Sequence, residues 1–106
     1  MTPEAKVKKK VVDVLKKGGA YYFFPATGGY GRSGVPDIVG CYRGVFFAIE
    51  CKAGTNKPTA LQEAEMNKIK EANGQVLVVN EDNIEDVREM MEAIANDMKS
   101  IIERSV

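Results

Sequence analysis

Hydrophobic positions along this 106-residue chain change their period several times, and each change marks an element. Val7, Val11, Val14 and Leu15 recur at three- and four-residue spacing, the pattern of a helix with one buried stripe. Thr2-Pro3 supplies a capping hydroxyl and a proline at the first helical position, and Gly18-Gly19 ends the helix. Lys8, Lys9, Lys10, Lys16 and Lys17 fall mostly on its polar side. Ala20 to Phe24 is a β-prone aromatic run closed by Pro25. Val35–Tyr42 and Val45–Lys52 read as strands joined by Arg43-Gly44, Thr59–Asn73 as a helix stopped by Gly74, and Gln75–Asn80 as a short strand. From Asp82, Ile84, Val87, Met91, Ile94, Met98 and Ile101 follow a 3-4-3-4-3 spacing that predicts a final helix. That helix is expected to pack on the sheet, with Met90, Ala95 and Ile102 widening its stripe to leave surface for a partner. The order α-β-β-β-α-β-α predicts an α/β fold, a small mixed sheet flanked by helices.

The hairpin makes a sharper prediction. If it turns on Arg43-Gly44, Tyr42 faces Val45, Cys41 faces Phe46, Val39 faces Ala48 and Asp37 faces Glu50. Directly opposed side chains share a face with β-carbons about 4.5–5.5 Å apart, where like charges destabilise the pair. Two carboxylates placed so in strands otherwise built of Ile, Val, Phe and Ala need a compensating charge. A hard divalent cation, which takes oxygen ligands, supplies one. Period two also puts Glu50 and Lys52 on the face of Asp37, while Ile49 and Cys51 point into the core. Cys41 and Cys51 lie on opposite faces and cannot bridge; both read as buried, reduced thiols. The competing reading is a solvated Glu-Lys ladder with an aspartate capping a turn, and the apolar context weighs against it.

Two further residues have two readings each. Glu4 precedes Val7 and Val11 by three and seven residues, so it shares the stripe of the first helix. It also suits a helix N-terminus simply as an acid. Thr59-x-x-Gln62 is a capping box, yet Gln62 precedes Met66 and Ile69 at helical spacing and so can face inward.

Composition narrows the chemistry. With 44% hydrophobic and 28% charged residues the chain resembles an ordinary globular protein, expected to form one domain over residues 1–106. No apolar run is long enough to span a bilayer, and no signal-peptide pattern follows the lysine-rich start, so an intracellular protein is expected. Histidine is absent, which excludes every mechanism built on an imidazole base and leaves carboxylates, lysine and a metal. Net charge is zero, but residues 1–70 carry 12 basic against 6 acidic side chains and residues 71–106 carry 3 against 9. The basic part suits a polyanion such as nucleic acid, or the acidic part of another copy. Residues 27–34, TGGYGRSG, hold four glycines with no helix start behind them; they read as a flap beside a site, not a phosphate-cradling loop.

GRSGVPD, a strand-length gap, ECK and then PTALQE together resemble the PD-(D/E)xK nuclease superfamily, and more narrowly its VRR-NUC (virus-type replication-repair nuclease) family. The resemblance covers residues 1–80 or so; the acidic last helix carries no family motif. It implies a restriction-endonuclease-like αβββαβ core followed here by a C-terminal helix. It implies a Mg²⁺-dependent endonuclease acting on DNA, with Mn²⁺ a substitute. By position, Asp37 and Glu50 become metal ligands, joined by Glu4 and the backbone carbonyl of Cys51. Lys52 becomes the motif lysine, either orienting or deprotonating the attacking water or stabilising charge on the phosphate, and Gln62 supports it. Arg32 and Ser33 of the Gly-rich loop and Lys8 and Lys9 of the first helix are the residues expected to hold the DNA backbone. Small members resemble Holliday-junction resolvases and form homodimers, which implies branched DNA in replication, recombination or repair. The setting implied is the cytoplasm of a bacterial cell, with a phage genome as one source. The rival readings are a nuclease fold that binds DNA without cutting it, and an interaction module whose acidic helix docks a protein partner.

Overall fold

The computed structural model describes residues 1–26 and 33–105, with side chains as far as Asp97. Elements run α1 (Pro3–Gly18), β1 (Tyr21–Phe23), β2 (Ile38–Tyr42), β3 (Val45–Cys51), α2 (Ala60–Glu71), β4 (Gln75–Val79) and α3 (Glu85–Ser105). This is the predicted order. The strands form one mixed sheet in the order β1-β2-β3-β4, antiparallel except for the parallel β3–β4 pair. The helix α2 makes the crossover that parallel neighbours require.

Local chemistry accounts for the boundaries. Thr2 caps α1 by accepting the Ala5 N–H, Pro3 opens the helix, and Gly19 ends it in the left-handed region. Arg43 (φ 49°) and Gly44 (φ 83°) both take positive φ, as a type I′ hairpin turn demands. That turn sets the predicted register: Tyr42 opposes Val45, Cys41 opposes Phe46, and the ladder ends at Ile38 opposite Ile49. Val35, Pro36 and Asp37 therefore stand outside the strand they were expected to open. At the end of α2 it is Asn73 (φ 69°), not Gly74, that turns left-handed.

The two faces of the sheet meet different neighbours. Ile38, Phe47, Ile49, Cys51 and Val79 pack with Val7, Val11 and Leu15 of α1 and Val87, Met90, Met91 and Ile94 of α3. Tyr22, Tyr42, Val45 and Leu77 border this core. Met90, expected at a partner surface, is buried here because α3 packs on α1 as well as on β4. On the opposite face α2 lies over β3 and β4, burying Ala48, Glu50 and Met66. It leaves Tyr21, Phe23, Cys41 and Phe46 of the β1–β2–β3 portion exposed. Cys41 is thus an exposed thiol rather than a buried one. Among the described residues no helix is long and apolar enough to cross a membrane.

Candidate active site

The site forms where β2 begins and β3 ends. Pro36 is buried and donates no hydrogen bond, so the chain enters β2 without a ladder bond at that position. Asp37, just before the strand, turns its Oδ2 to accept the backbone N–H of Cys51 at 2.9 Å. This bond takes the place of a further ladder step and ties Asp37 to the end of β3. The approach to it depends on Gly34, which sits at φ 79° against the first turn of α2. A β-carbon there would run into the Leu61 carbonyl, so only glycine lets the loop lie against that helix.

Glu50 is only 1% exposed. Its Oε1 accepts the Gln62 side-chain N–H at 3.1 Å and lies 3.7 Å from the Lys52 ammonium. Gln62 fulfils both of its predicted readings at once. Its Oε1 accepts the Thr59 N–H at 2.8 Å to complete the capping box, while its Nε2 donates to Glu50. Helix start and site are therefore held by one side chain. The second carboxylate oxygen, Glu50 Oε2, is fully buried and has no hydrogen-bond partner. A buried acceptor left so is costly, by about 1–3 kcal/mol and more when charged.

Glu4 enters from α1. It is exposed at the helix N-terminus, not buried in the stripe, yet it reaches the same place. One ligand oxygen each from Glu4, Asp37 and Glu50 lie within 4.8 Å of one another. Three carboxylates at this spacing, one buried with an orphaned oxygen, fit a hard divalent cation. Without a cation, a proton is the alternative. Burial above all, then the charge of the adjacent Asp37, pushes the Glu50 carboxyl up to about 8 against the opposing pull of the Lys52 ammonium. The Cys51 thiol is pushed up to about 12 by burial first and then by Asp37 and Glu50, which favours its neutral form in the metal-free protein.

Lys52 is held from behind by contacts that the sequence did not disclose. Its N–H donates to the Val79 carbonyl at 2.9 Å. Two residues on, the Gly54 N–H donates to Glu81 Oε1 at 2.6 Å, and the Asn80 side chain donates to the Gly54 carbonyl at 3.3 Å. Asn83 ties this turn to Val78 and Asp86.

Glu4, Asp37, Glu50, Lys52 and Gln62 are thus brought together, with the Cys51 backbone at their centre. A concavity at the Glu4–Asp37 side of this group is lined by Thr2, Glu4, Ala5, Lys8, Asp37 and Cys51. A larger one between α2 and β4, lined by Glu63, Met66, Lys70, Val76 and Val78 among others, contains none of the carboxylate cluster. Lys9 is exposed on α1 and does not line the smaller concavity; Ser33 is exposed. Arg32 and the rest of residues 27–32 lie outside the described residues.

The fold and the comparisons with known proteins define a nuclease of the restriction-endonuclease-like class. A solved structure titled "VRR_NUC domain" superposes with a TM-score of 0.68 at 25% identity, covering 87% of this chain and 97% of that one. Residues 5–77 match the family described as "Archaeal holliday junction resolvase (hjc)". The chain belongs to that family. It is also 35% identical over 81 residues, 76% of this chain and 84% of the relative, to "Putative nuclease p44" of Acyrthosiphon pisum secondary endosymbiont phage 1.

Proposed function

We propose that this protein is a Mg²⁺-dependent endonuclease that hydrolyses phosphodiester bonds of branched DNA, four-way junctions foremost, and works as a homodimer. The observation that carries the reading is a Glu50 carboxylate with one buried, orphaned oxygen, Oε2, gathered with the carboxylates of Asp37 and Glu4 within 4.8 Å. Residues that merely capped a turn would not bury an unpaired carboxylate oxygen beside two more acids. Glu4, Asp37, Glu50 and the Cys51 carbonyl would hold the metal; Mn²⁺ satisfies the same donors. The cation, when bound, neutralises the scissile phosphate and activates water for in-line attack.

The chain's own groups do the rest. The Cys51 N–H fixes the Asp37 carboxylate, and Gln62 fixes Glu50. The ammonium of Lys52, whose side chain is 14% exposed beside Glu50, stabilises negative charge building on the phosphate. Lys8, Lys9, Arg32 and Ser33 hold the DNA backbone, as the basic bias of residues 1–70 suggests. Preference for branched DNA follows the family to which the chain belongs, and the phage source of one relative suits action inside a bacterial cell. The exposed apolar face of Tyr21 (70%), Phe23 (50%) and Phe46 (45%) supports a second copy of the chain docking there.

The deciding experiment incubates purified protein with four-way-junction, flapped, linear duplex and single-stranded DNA in Mg²⁺, Mn²⁺ or EDTA. Metal-dependent cleavage, strongest on the junction and abolished in Asp37→Ala, Glu50→Ala and Lys52→Ala, is expected. Cleavage that survives those substitutions overturns the site. Binding without cutting in any metal would replace the enzyme with a binding module.

A further inference from the structure

We propose that Lys8 and Phe24 form a built phosphate subsite at the edge of the carboxylate cluster, with Phe24 the residue that positions the lysine. The inference rests on the nuclease reading and adds to it a residue that no motif marks. Lys8 lies four residues after Glu4, one turn along the same face of α1, and lines the concavity that also holds Glu4 and Asp37. It is half-buried, whereas Lys9 and Lys10 beside it are exposed.

The ammonium of Lys8 does not turn to those acids. Among the described residues Lys8 makes no ion pair. Its Nζ lies instead over the Phe24 ring, 4.1 Å from the centroid. A ring face attracts a cation without neutralising it. The charge is therefore held in place and left available to an anion, beside carboxylates that a metal would satisfy.

Phe24 is not a core residue. It is 49% exposed and outside the core cluster that borders Tyr22, its neighbour at 6.0 Å between ring centroids. A lysine side chain has much rotamer freedom to lose on binding, and a ring that holds it beforehand removes part of that loss. The ligand class is a DNA backbone phosphate neighbouring the one that is cut.

The test is equilibrium binding of labelled duplex and four-way-junction DNA by fluorescence anisotropy, with Ca²⁺ in place of Mg²⁺, across salt from about 50 to 200 mM. Each neutralised phosphate contributes about 0.9 to the slope of log affinity against log salt on duplex. Lys8→Gln is expected to lower that slope by about 0.9. Lys17→Gln, at the far end of α1 beside Glu85 and Arg88, is expected to leave it unchanged. Phe24→Leu should keep the slope but weaken binding about two- to fivefold, and Phe24→Trp should restore it. An unchanged slope in Lys8→Gln overturns the subsite. Equal affinities for Phe24→Leu and wild type, or for Phe24→Leu and Phe24→Trp, overturn the positioning role. Wild-type protein that binds no DNA at all removes the nuclease reading itself, a result distinct from the others.

Discussion

Strand β3 carries Phe47, Ile49 and Cys51 on one face and Phe46, Ala48 and Glu50 on the other, and the two sets end in opposite circumstances. The first set is fully buried and packs with the apolar stripes of α1 and α3, with Cys51 at its end bordering the carboxylates. The second runs from a half-exposed phenylalanine through a buried alanine to a buried glutamate. One face stabilises the fold and tolerates no polar atom. The other is covered by a single helix over part of its width, which leaves one end exposed and encloses a charge at the other. A site of this kind needs both: a rigid face behind it and an incompletely satisfied face in front.

The comparison breaks most decisively at the carboxylates. Asp37→Ala or Glu50→Ala is expected to lower cleavage by about a hundred- to a thousandfold or more while leaving the fold intact, as measured by single-turnover rates and circular dichroism. On the opposite face, Phe47→Ala should do the reverse. It leaves a cavity in the core and should cost about 3–5 kcal/mol, read as a lowered midpoint in urea. Should Phe47→Ala prove mild and Glu50→Ala unfold the protein, the division between the faces is wrong.

Glu50 also gives the metal-free protein a pH signature. Between about 4.5, its ordinary value, and about 8, the folded state keeps a proton that the unfolded chain has lost. Stability should therefore fall as pH rises through this window, by an amount on the order of a few kcal/mol, and level off above it. Added Mn²⁺ or Mg²⁺ should flatten the fall and release protons on binding at neutral pH. Glu50→Gln should flatten it without metal. Thermal melts across the window check all three, and a fall of equal size in Glu50→Gln would assign it to another group.

Gln62 tests whether the helix start and the site share one device. Gln62→Glu keeps an acceptor for the Thr59 N–H but replaces the donor to Glu50 with a fourth acid. Activity should drop about ten- to a hundredfold with little change in melting temperature. Gln62→Ala should lose both, including roughly 0.5–2 kcal/mol of capping. The smallest effect is expected at the open end of the same face. Phe46→Asp should change monomer stability by about 0.5 kcal/mol or less, yet shift the protein toward monomer in sedimentation equilibrium.

Much of this was legible in the residues themselves. Val7, Val11 and Leu15 marked the buried stripe of α1. Arg43-Gly44 set a register that held at every pair of the ladder, because turn type fixes pairing and strand period fixes faces. Asp37, Glu50 and Lys52 followed from that counting. Yet the way Asp37 meets Glu50 was not the expected one: the ladder stops at Ile38, and a side-chain bond to the Cys51 N–H completes the approach.

Local pattern by itself determined the elements, the hairpin register and the identity of the acids, since caps, turns and side-chain period act within a few residues of each other. Tertiary structure alone decided what required the layers to be assembled. It brought Glu4 from the end of α1 to the two strand acids, and it let Gln62 serve cap and carboxylate together. It also buried Met90 against α1 while leaving Cys41 in the open. The reason is geometric. Whether a side chain at a strand or helix position meets water, a neighbour or a charge depends on how far the opposing helix extends. That extent is a property of the packed layers, not of the segment that carries the residue.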